Sequence, residues 1–316
     1  MIPEIPQRLV EHATRGWGDQ GRAWLEELPA LLDGCARRWG LTLGSPTEAI
    51  KGNYVGYVTL KDGTEAVLKV AVPHADFTTE KEALEIYGGR GINRLIDRDD
   101  ELNAILLERL RPGKMLAHHP DRAERAEITG RILLDLHTTP PPSEHGLPHF
   151  ESWMHGAFGD IRGCKDLERS QPYLDQIPRA QEMMDQLKKP GEPQILLHGD
   201  LHHWNILEDA PRGWMAIDPK GVIGASCLDV GRYVNNAVVF EDRSGRSEKR
   251  EILLETLRIF SNVLRESEER MFSGTYLDKI TGSGSGLADP PNEHEMQSRE
   301  FLEVIVEVGE EKGWLG

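Results

Sequence analysis

The sequence predicts an α+β fold in two lobes. A small N-terminal lobe (residues 1–111) is built on an antiparallel hairpin, and a larger lobe (residues 112–316) is mainly helical. Three observations carry this reading. "NYVGYVTL" and "EAVLKVAV" alternate with period two on either side of "KDGT", and Asp-Gly between such runs is the strongest short-range hairpin signal. Amphipathic helical segments dominate after Pro112. A second hairpin pattern, "ILLHGDLHHWNILED", "APRG" and "WMAIDPKG", interrupts them.

In chain order, Trp24, Leu28, Leu31, Leu32, Cys35 and Trp39 recur at steps of three and four and predict a helix over 21–41. Pro29 breaks it into two pieces and Gly40 ends it. After the first hairpin, "TTEKEALEIYGGRG" has Thr before an acidic first turn opened by Glu80, and Gly-Gly at its end, the start and stop signals of a short helix. "AILLERL" reads as a buried strand and "RPGK" as a turn after it, with a short hinge between the lobes near Arg109 to Gly113. "DRAERAEITGRILLDLH" is an amphipathic helix, "PPP" at 140–142 stops it, and "PYLDQIPRAQEMMDQLKKP" resumes helix. Helices fill most of 228–269 and 300–312, with "TGSGSGLADPPNEH" between them a flexible loop by composition.

Composition narrows the function. A chain with 38% hydrophobic and 28% charged residues buries a core rather than remaining disordered. No run approaches the roughly 18 apolar residues of a membrane helix, and "MIPEIPQRLVEH" lacks the pattern of a signal peptide. The cytoplasm is the expected compartment. Cys35, Cys164 and Cys227 are odd in number and widely spaced, so they read as packed thiols rather than disulfides or a zinc site. The net charge of −16 argues against a nucleic-acid partner. Residues 112–316 carry −12 of it, which suits a cationic ligand.

The chemistry sits in "HGDLHHWNIL". His198 and His202 are four apart, the spacing of a zinc-binding HExxH helix, but Gly199 and the flanking apolar runs argue for strand, turn and strand. Phosphoryl transfer fits better. It needs a carboxylate to accept the proton of an attacking hydroxyl and a nearby carboxamide to hold a divalent cation. Asp200 and Asn205 stand five apart, the separation of those groups in the HRDxxxxN loop of protein kinases. Asp218, closing "GWMAID" across the hairpin, is placed as a second metal ligand. Lys69 is the only basic residue inside an apolar strand run, the position of a phosphate-binding lysine, and Glu80, rather than Glu82, is its ion-pair partner on the next helix. "IKGNYVGY" offers Gly52 and Gly56 as a loop whose amides approach phosphates. The adenine is expected against the backbone of Glu108 to Leu110.

With these motifs in hand the chain resembles the aminoglycoside phosphotransferase family, which has a protein-kinase-like fold. "AWLEELPALLDGCARRWGL", "DGTEAVLKV", "EKEALEIYGGRG" and "AILLERLRPG" are similar in content and order to the branch of streptomycin 6-phosphotransferases and hydroxyurea-resistance kinases, over about residues 20–240. The resemblance implies ATP and Mg²⁺ as cofactors, Asp200 as catalytic base, Asn205 and Asp218 as magnesium ligands, and Lys69 with Glu80 at the phosphates. It further implies that His198 supports the loop from behind, that Asp229 in "CLDVGRYVNN" braces it, and that Lys220 reaches a phosphate. Asn53 and Tyr54 stand where relatives often carry a small hydroxyl residue, and the tail beyond Met271 departs from the branch.

The function expected is transfer of the ATP γ-phosphoryl group to a hydroxyl of a small cationic acceptor, such as streptomycin, by a monomer or homodimer without nucleic-acid or membrane partners. A metabolic kinase for an amino sugar or amino alcohol is the alternative. A non-catalytic nucleotide-binding protein is a third, and the intact set of Lys69, Asp200, Asn205 and Asp218 weighs against it.

Overall fold

A computed structural model of the chain describes residues 2–47, 52–239, 245–287 and 293–315. The first element, α1 (Gln7–Trp39), runs through Pro29 without breaking. Trp24, Leu28, Leu32 and Cys35 form one buried stripe on both sides of the proline, and that continuous packing outweighs the single backbone bond proline removes. The helical geometry fails instead at Gly18 (φ 55°, ψ −126°), a conformation open to glycine and closed to most other residues.

A five-stranded antiparallel sheet follows, made of β1 (Thr42–Pro46), β2 (Tyr54–Thr59), β3 (Glu65–Val70), β4 (Leu95–Asp99) and β5 (Ala104–Glu108) in the order β1-β2-β3-β5-β4. The hairpin expected around Asp62 and Gly63 is β2–β3, with Thr59 opposite Glu65. The edge strands β1 and β4 escaped the sequence reading because most of their side chains are exposed, leaving no period-two pattern to detect. The sheet has two apolar faces. Ala66, Leu68 and Val70 pack with α1 in one cluster, and by the strand period Val67, Lys69 and Ala71 turn to the other side, where Phe77, Ala83 and Leu84 of α2 (Ala75–Tyr87) extend the larger core. The helix begins earlier than its threonines suggested. His74 is the cap, its Nδ1 accepting from the Phe77 amide at 3.3 Å.

"RPGK" is not a simple turn. It forms β6 (Pro112–Met115), which pairs with β8 (Ile206–Asp209), and β8 pairs in turn with β9 (Gly213–Ala216) in the second expected hairpin. A further short pair joins β7 (Ile195–Leu197) to β10 (Val222–Gly224). Helices α3 (Arg122–Leu136), α4 (Phe150–Gly163), α5 (Leu167–Leu174), α6 (Ile177–Leu187), α7 (Cys227–Val239), α8 (Arg246–Leu264), α9 (Glu268–Gly286) and α10 (Glu293–Lys312) complete the larger part. Helices α7 and α9 cross with their backbones in contact. A Cβ on Gly231 would lie 2.1 Å from the carbonyl oxygen of Gly274, so no side chain fits there.

"TGSGSG" is a correction to the sequence reading. Its residues are the last turns of α9, not a loop. Ile280 and Ser283 are buried, and Gly284 abuts the backbone of Ala157 in α4, so helix packing overrides the loop-like composition. Residues 288–292 of the same stretch lie outside the described residues. No described helix is long and apolar enough to cross a membrane.

Candidate active site

Lys69 stands on the inner face of β3, 5% exposed. Its ammonium meets both carboxylate oxygens of Glu80 at 2.7 and 2.8 Å and Asp218 Oδ1 at 3.1 Å. Glu80 is in the middle of α2 rather than its first turn, because the helix starts at Ala75. Glu82 points elsewhere and accepts the amide of Gly146 at 2.7 Å. Burial disfavours the charge on Lys69, but Asp218 and Glu80 more than offset it and raise the pKa above the ordinary lysine value. For Glu80, burial pushes the carboxyl up to about 7 while Lys69 pulls the other way. A bidentate, charge-assisted contact of this length keeps the pair ionised.

The second half of the site is the turn that leaves β7. Each contact of His198 assigns an atom. Its Nδ1 accepts from the Asp200 amide at 3.2 Å, so the proton belongs on Nε2, which faces the Ile217 carbonyl at 2.9 Å. With both ring nitrogens committed and burial lowering its pKa, His198 is a neutral strut between the turn and Ile217, the residue after β9, not a metal ligand. Asp229, in the first turn of α7, takes the amides of His198 (3.0 Å) and Gly199 (2.8 Å) and the His137 ring at 3.0 Å. Burial alone would raise its carboxyl, but His137, His198 and the Gly199 amide hold it below the usual range.

Asp200 is partly exposed, its side chain 27% accessible. Burial raises its carboxyl and the charges around it, Arg232 first, lower it further, so the net shift is downward and the group is a carboxylate near neutral pH. Two neighbours approach Oδ1: Arg232 Nε at 3.7 Å and His202 Nε2 at 3.9 Å. Burial takes His202 down to about 4, so this imidazole is neutral. Asn205 ends the 3₁₀ turn His203–Asn205 and donates its side-chain amide to the Asp200 carbonyl at 3.0 Å. Its carbonyl oxygen is thereby the acceptor end. The Ile217 amide bonds the Asn205 carbonyl at 2.9 Å and ties this turn to the strand that ends at Asp218. Asp218 has φ 57°, a left-handed backbone that a non-glycine residue adopts at a cost and that clusters at functional sites.

The structure therefore brings Lys69, Glu80 and Asp218 into one contact network, and His198, Asp200, Asn205 and Asp229 into another, joined through Ile217. Lys220 lies beside them. Its amide bonds the His198 carbonyl at 2.8 Å, while its ammonium is 3.9 Å from Asp76 and 5.9 Å from the Trp153 ring. Gly52, Glu108 and Leu110 share no hydrogen bond or ion pair with either network among the described residues. Gly52 (φ 79°) has open space around it, whereas Gly56 lies inside β2 opposite Leu68 and is not part of a loop. The Glu108 amide donates to the Arg94 carbonyl at 2.9 Å, and its carboxylate pairs with the Arg212 guanidinium at 2.8 Å; Leu110 is buried. Two residues in the network were absent from the sequence reading. His137 is 92 positions from Asp229 and carries no signal of the contact. Arg232 is one helical turn after Asp229, and that spacing on one face of α7 was the available clue.

Residues 38–280 match the family described as aminoglycoside/hydroxyurea antibiotic resistance kinase. The chain belongs to this family. It is a phosphotransferase that acts on an alcohol group and uses ATP, as its kinase relatives do. Among curated proteins it is 32% identical to streptomycin 6-kinase of Streptomyces griseus over 72% of its own length and 73% of the relative's. It is also 32% identical to hydroxyurea phosphotransferase of Kitasatospora aureofaciens, over 71% and 65%. Among solved structures it resembles choline kinase from Cryptosporidium parvum, with TM-score 0.64, 12% identity and coverage of 90% and 97%. A thermostable mutant of the aminoglycoside phosphotransferase APH(4)-Ia gives TM-score 0.60, 15% identity and coverage of 88% and 98%. These structural likenesses establish the protein-kinase-like fold.

Proposed function

We propose that this kinase transfers the γ-phosphoryl group of ATP to a hydroxyl of a small cationic antibiotic, with streptomycin as the first candidate. The observation that carries the reading is the meeting of Lys69, Glu80 and Asp218 at hydrogen-bond distance, from positions up to 149 residues apart, beside a turn that presents Asp200 and Asn205. Residues 1–111 serve as the nucleotide lobe and 112–316 as the lobe of the base and acceptor.

In this scheme Lys69, fixed by Glu80, holds the α- and β-phosphates. Gly52 lends a backbone amide to the phosphates, and the backbone after Glu108, at Arg109 and Leu110, takes the adenine, since the Glu108 amide is already committed. Asn205 and Asp218 offer a carboxamide and a carboxylate oxygen, hard donors that fit Mg²⁺, and Asp218 is half exposed with its backbone preset. A bound Mg²⁺ screens the charge of the phosphates. Asp200, ionised at neutral pH, accepts the proton of the attacking hydroxyl, and the His198–Asp229 brace keeps it in place. Lys220 is near enough to this turn to meet a phosphate once released from Asp76. The acidic larger lobe and the streptomycin 6-kinase relatives both support a cationic acceptor.

A labelled-phosphate transfer screen over aminoglycosides, amino sugars and amino alcohols tests the acceptor. Streptomycin labelled in preference to the others is the expected result; turnover of an amino alcohol alone would replace this acceptor with a metabolic one.

A further inference from the structure

We propose that Arg232 is a positioning residue for the reaction: anchored on Asp278 of α9, it fixes the Oδ1 edge of the Asp200 carboxylate and leaves Oδ2 to take the acceptor proton. The proposal rests on the reading of Asp200 as general base.

The arrangement begins with the close crossing of α7 and α9. Because Gly231 and Gly274 let the two backbones touch, the residue after Gly231 and the residue one turn after Gly274 are pressed together. Arg232 is ion-paired with Asp278 there, Nη2 to Oδ1 at 3.1 Å. Asp278 is only 3% exposed, and the side-chain amide of Asn235 donates to its other oxygen at 2.8 Å. A carboxylate buried so deeply is costly without partners; here Oδ1 faces the guanidinium and Oδ2 takes the Asn235 amide, which tethers Arg232 to α9.

The Nε of the same guanidinium also comes near the base. Arg232 Nε is buried without a hydrogen-bond partner among the described residues, and Asp200 Oδ1 lies 3.7 Å from it. This is beyond hydrogen-bond length, so the contact is an ion pair that a small turn of the carboxylate converts into a bond. Buried donors rarely stay unsatisfied in a native structure, and the movement that satisfies Nε locks Oδ1. His202 approaches the same oxygen. Both neighbours thus crowd one side of Asp200, and the other oxygen is the one left for the acceptor hydroxyl. A general base misplaced by about 1 Å loses roughly a hundredfold in rate, which is the scale on which such an anchor acts. Helix α9, which reads in sequence as part of an unmatched tail, becomes part of the catalytic apparatus through Asp278.

The test is a double-mutant cycle on steady-state kinetics with Mg-ATP and the acceptor that turns over best, using Arg232→Gln, Asp200→Asn and the pair. Arg232→Gln is expected to lower kcat about 10- to 100-fold with KM for ATP within twofold, to add little to the loss in Asp200→Asn, and Arg232→Lys is expected to recover part of kcat. A kcat loss of equal factor in the Asp200→Asn background overturns the proposal, as does an unchanged kcat in Arg232→Gln. Full activity in Asp200→Asn would instead remove the base assignment, a separate and recognisable failure. Should Arg232→Gln fail to fold, Asp278→Asn, isosteric and remote from substrate, decides: the same split between kcat and KM supports the anchor, and wild-type kcat refutes it.

Discussion

At the scale of single residues, the lysine on β3 shows how a sequence signal acquires meaning from its partners. Lys69 stood out because a basic residue interrupts an apolar strand, and in the fold it lies on the face turned away from α1. Its geometry adds what spacing could not: Glu80 meets it with both oxygens, and Asp218 arrives from the far hairpin. Glu80→Gln keeps the shape and removes one charge of this clamp. It is expected to lower kcat/KM for ATP about 10- to 100-fold, the effect of a charged group losing its orientation, with little change in acceptor KM; steady-state kinetics with each substrate varied in turn check it. The residues that the sequence reading missed, His137 and Arg232, act through contacts made by folding. A histidine 92 positions from its carboxylate leaves no periodic trace.

At the scale of elements, the central helices and strands were legible because each buries one face, and the failures share a cause. The edge strands β1 and β4 bury too little to imprint a pattern, Pro29 and the glycines of α9 suggested breaks that tertiary packing suppresses, and "RPGK" became β6 only because β8 lies beside it. The turn holding Asp200 depends on the start of α7, where one buried carboxylate collects two amides and an imidazole. Asp229→Asn offers an amide NH₂ where donors already point, and is expected to cost about 3 kcal/mol. The pH dependence has a definite sign. The carboxyl of Asp229 is depressed in the folded state, so its contribution is present above the unfolded value of about 3.9 and is lost as pH falls through the folded value. The stability gap between wild type and Asp229→Asn, read from urea melts, should therefore be constant from neutral pH to about 5 and narrow below about 4.

At the scale of the whole molecule, family membership and fold follow from motifs that the sequence displays openly, while the acceptor depends on a surface that only the assembled helices create. The charge distribution gives that surface a testable property. With −12 carried by residues 112–316, attraction of a cationic acceptor is screened as the Debye length shrinks from about 10 Å at 0.1 M salt to about 3 Å at 1 M. KM for streptomycin is expected to rise several-fold across that range while kcat holds, and a neutral alcohol substrate should show no such trend. The central claim, that Asp200 accepts the acceptor's proton in a kinase reaction, is reached most directly by single-turnover transfer of labelled phosphate from Mg-ATP in wild type and in Asp200→Ala, with ATP affinity measured in parallel. The expected result is a rate at least about 100-fold lower in the variant, at the low end of the contribution of a general base, with ATP bound as tightly as before. Equal rates in the two proteins would contradict it.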